Sequence, residues 1–273
     1  FCRTVAKKNN FDILTGMTKK IRRIIGVSAL IIGTLIFIYL GAIIIWGDIE
    51  AIFFNAMLRS DEPLDALRCP SIITTNEIGA VYGKFNNSYD RTADMEIRTY
   101  ITDGYVTLMT EVINNFTLQP GEKEIVEVQF SADDAAYDRF VMVRMHQMKR
   151  GPFAYQNASC GIVVVDIPFL TGRQFLIAMI SLGVMLSAGG ITLWALNTRP
   201  IVWGRKKVFW SMMTFSLTAL SITLTSLLDQ WVFSLILLVI WILMGISMLW
   251  LFDFFSGKKL IDEGMISEEN IKK

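Results

Sequence analysis

Four stretches of this chain, residues 24–46, 175–196, 208–228 and 231–252, contain no Asp, Glu, Lys, Arg or His. Each holds the roughly 20 apolar residues that a helix needs to cross about 30 Å of hydrocarbon. Lipid offers no water to backbone N–H and C=O groups, so spanning segments of this kind are helices. Composition agrees: 53% of the 273 residues are hydrophobic and the mean hydropathy is +0.45, more apolar than an ordinary soluble domain. With 19% charged residues and a net charge of +1, no basic face for nucleic acid is expected. One histidine and three cysteines fall short of the usual zinc sets. No metal and no cofactor is expected.

The charges between the runs predict an orientation. Arg3, Lys7, Lys8, Lys19, Lys20, Arg22 and Arg23 precede the first run against a single Asp12, and Arg199, Arg205, Lys206 and Lys207 lie between the second and third. Basic residues stay on the cytoplasmic side. The expected order is a cytoplasmic basic arm (1–23), a first helix (24–46), a juxtamembrane amphipathic segment (48–61) and an outer domain (62–173). A second helix (175–196), a cytoplasmic basic loop (197–207), helices at 208–228 and 231–252, and a cytoplasmic tail (253–273) follow. The first run is too long for the apolar core of a cleaved signal, so it is read as a signal anchor. Met17, just before the basic cluster, stands where an initiator would sit, and Cys2 falls on the reducing side. In the juxtamembrane segment Ile49, Phe53, Phe54, Met57 and Leu58 recur at helical spacing. That pattern fits an interfacial helix or a continuation of the first helix under the outer domain.

Between the first and second runs the pattern changes to alternating β-branched and aromatic residues, the period of a half-buried strand. Strands are predicted at 78–85, 95–102, 106–114, 124–130, 140–148 and 161–167. Turn residues separate them, at Asn86-Asn87-Ser88, Asp103-Gly104, Gln119-Pro120-Gly121-Glu122 and Lys149-Arg150-Gly151-Pro152. Short strands at this spacing predict an antiparallel β-sandwich inserted between helices 1 and 2. The Leu118-Gln-Pro-Gly-Glu-Lys123 turn with its Val-rich following strand resembles the inter-strand turn of bacterial immunoglobulin-like domains. For the outer segment alone, that resemblance implies an Ig-like sandwich. Cys69 and Cys160 bracket the segment on the oxidising side and are expected to pair. The sequons at Asn86, Asn115 and Asn157 are glycan acceptors in a eukaryotic source and plain loop residues in a bacterial one.

Candidate sites are few. On the 140–148 strand, Val141, Val143 and Met145 would face the core. Phe140, Met142, Arg144, His146 and Met148 would then share an outer face, a stripe expected to be a contact surface. The Asp133, Asp134 and Asp138 cluster lacks EF-hand spacing and is read as a solvated loop. In the third helix Ser211, Thr214, Thr218, Ser221 and Thr225 recur every three or four residues, and the second offers Gly183, Ser187 and Gly190. Small and hydroxyl residues at this spacing predict helix–helix packing. No ionisable residue lies inside any run, which argues against coupled transport. Trp46, Trp203, Trp210, Trp231 and Trp250 fall near predicted interfaces.

The function expected is therefore non-catalytic: an accessory or assembly subunit of a membrane complex, its sandwich contacting other membrane or extracytoplasmic proteins beside the lipid bilayer. Two alternatives stay open. One is a receptor or adhesion module with an aromatic platform near Tyr89, Tyr100, Tyr137 and Tyr155. The other is a transporter, channel or lipid-handling protein with a hydrated groove along the third helix.

Overall fold

The computed structural model describes residues 2–55, 62–63, 67–148, 156–198 and 203–262. Met57, Leu58, Arg59, the Lys149–Pro152 turn, Tyr155, Arg199 and the tail beyond Asp262 lie outside the described residues. The elements run α1 (Cys2–Asn55), nine strands, then α2 (Gly172–Leu196), α3 (Trp203–Leu227) and α4 (Trp231–Asp262). Among the described residues four helices are long and apolar enough to cross a membrane: Lys19–Phe54, Gly172–Leu196, Lys206–Leu227 and Trp231–Met248. The chain divides into two compact units. Phe1–Ile38, Met185–Thr225 and Val232–Lys273 form one; Tyr39–Val184 with Ser226–Trp231 form the other.

In the helical unit α1 and α2 meet at Gly26 and Gly190. A Cβ on either would strike the other's backbone carbonyl, which is how small residues let membrane helices approach. Ser187 and Gly190 are buried. On α3 the buried positions are Ser216, Ala219, Ile222, Thr223 and Ser226, a different face from the expected Ser211, Thr214, Thr218, Ser221 and Thr225. Thr214 and Ser221 are exposed, and the hydroxyls of Thr214, Thr218 and Ser221 donate to the carbonyls four residues earlier at 2.8–2.9 Å. A hydroxyl satisfied within its own helix carries no penalty on an apolar surface, so spacing alone does not select the packing face. Thr223 bonds across to α1, donating to Phe37 O at 2.8 Å. Thr225, at the margin, accepts from Ser234 Oγ at 2.8 Å, and Ser211 Oγ lies 3.4 Å from Met248 Sδ.

In the β unit all six predicted strands form: β4 (Gly79–Asn86), β5 (Ala93–Asp103), β6 (Tyr105–Leu118), β7 (Lys123–Phe130), β8 (Phe140–Gln147) and β9 (Gln156–Val165). Three short strands precede them: β1 (Glu62–Pro63), β2 (Leu67–Arg68) and β3 (Ile72–Thr74). The larger sheet runs β1-β9-β8-β5-β6 with β3 also on β9, and the smaller runs β2-β4-β7. The long strands pair antiparallel, whereas β1 and β3 run parallel to β9. The sheets share one core. Val81, Phe85, Val126 and Val128 from the smaller pack with Ile97, Ile101, Val141, Val143, Met145 and Ile162 from the larger. The Gln119–Glu122 turn closes by a Glu122 N–H bond to Gln119 O at 3.0 Å. Pro120 sets φ at its second position and Gly121 takes φ +77° at its third, the demands of a type II turn. A disulfide joins Cys69, just past β2, to Cys160 on β9, with Cα atoms 6.5 Å apart.

The start of α2 is part of this unit. Thr171 and Gln174 form a reciprocal capping pair at 3.1 and 3.3 Å. The Gly172 N–H donates to Glu77 Oε2 at 2.7 Å.

Candidate functional site

The outer face of the larger sheet is built by alternation. The register places Arg98 beside His146, His146 beside Asn157, and Tyr100 between Glu111 and Arg144. A polar band therefore crosses four strands. Arg98 bonds Glu96 at 2.7 Å and Glu111 at 3.2 Å, and the Tyr100 hydroxyl donates to Glu111 at 2.7 Å. The bond to Glu96 raises the Arg98 pKa above its ordinary value. Burial, then Glu111, raises that of Tyr100.

The expected contact stripe on β8 is not a free surface. Met142, Arg144 and His146 are 1%, 8% and 4% exposed. The cover comes from the last turns of α1, which continues past Trp46 as one helix to Asn55. Phe54 packs on Met142 and Ala136. Arg144 lies 5.4 Å from the Phe54 ring and 4.7 Å from that of Tyr100, and its Nη1 donates to Phe54 O at 3.4 Å. His146 stacks on Tyr100 at 5.2 Å. Burial, with Arg144 and Arg98 nearby, pushes its pKa down to about 4. Met148 is half-buried and Phe140 likewise. Of the two readings of the segment after Trp46, the structure has the continuing helix. The available signal was Phe54 recurring on the α1 pattern beyond the uncharged run, but nothing local says which strand it meets.

A glycine allows that approach of α1: a Cβ on Gly161 of β9 would collide with the Gly47 carbonyl. At the start of α2 a Cβ on Gly172 would strike the Ile72 carbonyl of β3.

Along its far side the larger sheet ends in β6, which among the described residues pairs only with β5. Its 14 residues hold one charge, Glu111, and no Pro or Lys. Leu108 and Ile113 are 55% and 48% exposed, and Tyr105 and Met109 are exposed too. The register irregularity at Thr102/Asp103 is confined to the hairpin end, so Met109 to Leu118 runs unbroken against β5. The edge strand of the smaller sheet, β7, carries Lys123, Glu124 and Glu127 within eight residues. Charges are the usual guard against unwanted strand addition.

Other expected residues fall as follows. Asn86 and Asn115 are exposed, but Asn157 is buried on β9, so its amide is not open to a glycan in the folded unit. Asp134 and Ser131 cap a 3-10 turn, Asp134 Oδ2 accepting from Ser131 N at 2.6 Å. Among the described residues no group of three His, Cys, Asp or Glu is placed to hold a metal. A cleft of about 700 Å³ opens beside the disulfide, with Asp48, Arg68, Asp229 and Trp231 in its wall.

No family model matches the chain. No curated protein matches it. Among solved structures, a CARDB domain from Pyrococcus furiosus, in complex with di-metal ions, is 11% identical with a TM-score of 0.30, over 37% of this chain and 91% of that one. A β-glucuronidase from Bacteroides uniformis is 12% identical with a TM-score of 0.27, over 35% of this chain and 12% of that one. For a β-glucosidase from Listeria innocua the identity is 14% and the TM-score 0.26, over 37% of this chain and 15% of that one.

Proposed function

We propose that this is a non-catalytic integral membrane protein, an accessory or assembly subunit, whose β unit adds a strand of a partner protein to β6. Both termini are cytoplasmic and residues 48–173 lie outside. The positive flanks of the helices support that orientation, as does the Cys69–Cys160 disulfide, since such bonds persist in oxidising compartments. The observation that carries the contact is the edge of β6, unpaired among the described residues: long, apolar and almost uncharged. An edge of this kind offers main-chain hydrogen bonds to an extended segment, and its exposed side chains supply selectivity. The single histidine, the residue general acid–base chemistry most often calls on, is stacked on Tyr100 and held neutral.

The test is a photo-crosslinking amino acid placed in the full chain at Leu108, Met109 or Ile113, and for comparison at Ile125 on β7, in native membranes. One discrete adduct from the β6 positions, absent from β7 and matching a protein that co-purifies in stoichiometric amount, is the expected result. A monodisperse chain that yields no adduct from β6 overturns the reading.

A further inference from the structure

The cleft beside the end of α1 measures about 700 Å³, within the range of sites that hold a small organic molecule. Its wall carries two carboxylates, Asp48 and Asp229, and one guanidinium, Arg68, with the indole of Trp231 and the apolar Leu228 beside them. Asp48 is held in place. The close approach of Gly47 to Gly161 fixes that stretch of α1 on β9. Its Oδ2 is buried and has no hydrogen-bond partner. A buried carboxylate oxygen without a donor is costly to keep, and the wall sets carboxylates and a guanidinium around one opening.

A metal ion fits poorly. Calcium takes six to eight oxygen ligands, and the described residues gather no group of three ionisable ligands. A protonated amine fits better. An ammonium brings N–H donors and a positive charge to the side of the wall that carries Asp48 and Asp229, and cations commonly lie over an indole face such as that of Trp231. Arg68 then matches an acidic group on the same molecule, most naturally a phosphate.

The geometry points to this cleft as a binding site for a primary amine that also bears a phosphate. That chemistry has two sources: the headgroup of an aminophospholipid, and soluble phosphoethanolamine. A choline headgroup has the charge without N–H donors, and a glycerol headgroup has no amine.

The full chain is reconstituted into phosphatidylcholine nanodiscs, and phosphatidylethanolamine or phosphatidylglycerol is added in steps. In a third series soluble phosphoethanolamine is titrated into the phosphatidylcholine discs. Melting temperature and retained lipid, read by native mass spectrometry, report binding. An amine-bearing probe should raise the melting temperature where phosphatidylglycerol does not, with at least tenfold weaker binding in Asp48→Asn and Asp229→Asn. Protection by phosphoethanolamine identifies a soluble ligand; protection by the lipid alone identifies a headgroup site. Equal response to the ethanolamine and glycerol lipids, with no effect of phosphoethanolamine, overturns the inference. So does wild-type affinity in the two folded variants. Should Asp48→Asn fail to fold, Asp229→Asn and Trp231→Leu, both at the α3–α4 turn, decide the same question.

Discussion

At β9 the larger sheet is fastened by a disulfide to the segment after β2, by a glycine contact to α1 and by two short parallel strands. Three strands away, at β6, the same sheet meets solvent with exposed Leu108, Met109 and Ile113 and a single carboxylate. The two ends share a core and a hydrogen-bonded lattice, so the difference lies in what covers them. Covering elements need glycines and tolerate buried charge; an open edge needs charges to stay single. The closed end has the glycines and Arg144. The open end lacks the charges, and the proposed strand addition rests on that difference.

The largest effect should follow from cutting the closed end loose. The disulfide spans 91 residues, and a loop of that length contributes roughly 4–5 kcal/mol in the chain-entropy model. Cys69→Ser with Cys160→Ser should therefore lower the stability of the full chain by about 4 kcal/mol in a denaturant titration. A loss under about 1 kcal/mol would mean that the other fastenings suffice. Next in size, Gly161→Val drives a Cβ into the Gly47 carbonyl. Backbone cannot yield as a side chain does, so about 3 kcal/mol is expected, along with faster proteolysis near Asn55.

Arg144→Ala tests the cover itself. It removes the cation between the Phe54 and Tyr100 rings and a hydrogen bond to Phe54 O, and should cost about 2 kcal/mol by thermal unfolding. Arg144→Met keeps the packed stem and should recover part of it.

His146 adds a pH dependence to the same place. Its folded pKa is about 4, against roughly 6.5 in an unfolded chain. Between those values the unfolded state binds the proton more readily. Stability is thus full above about pH 6.5 and falls as pH drops toward 4. Burial sets the shift first, Arg144 and Arg98 add to it, and Glu96 and Glu111 oppose it; by pH 5 the loss is on the order of 2 kcal/mol. His146→Phe preserves the stack on Tyr100 and should flatten the curve between pH 7.5 and 5. An unchanged slope would place the proton elsewhere.

Much of this was legible in the chain. The spans follow from uncharged runs, and the strands from period-2 alternation closed by Asp103-Gly104 and Gln119-Pro120-Gly121-Glu122, because those signals are local. What lay hidden was which face each element turns to what. Phe140, Met142, Arg144 and His146 read as an outer stripe because alternation reports only that two faces exist; Phe54, some 90 positions away, decides that this one is covered. Thr214 and Ser221 read as packing residues because spacing cannot show that each hydroxyl closes on its own helix. β1, β2 and β3 are two or three residues long, too short for any period to register. The cleft joins the end of α1, the disulfide and the Asp229 turn, residues far apart in sequence with no shared motif.

The smallest expected change in stability is the sharpest test of the open end. Ile113 is 48% exposed on β6, and the register pairs it with Arg98. Ile113→Lys adds a charge at the rim of the strand and removes little buried surface, so stability should move by no more than about 0.5 kcal/mol. A lysine on an edge strand is nevertheless the device that stops strand addition. If β6 is completed by a partner, the same substitution should sharply reduce co-purification while leaving the melting temperature in place. Ile125→Lys on β7, already flanked by Glu124 and near Glu127, should alter neither. A stable Ile113→Lys variant that keeps its full set of partners would make β6 an ordinary edge and erase the contrast between the two ends of the sheet.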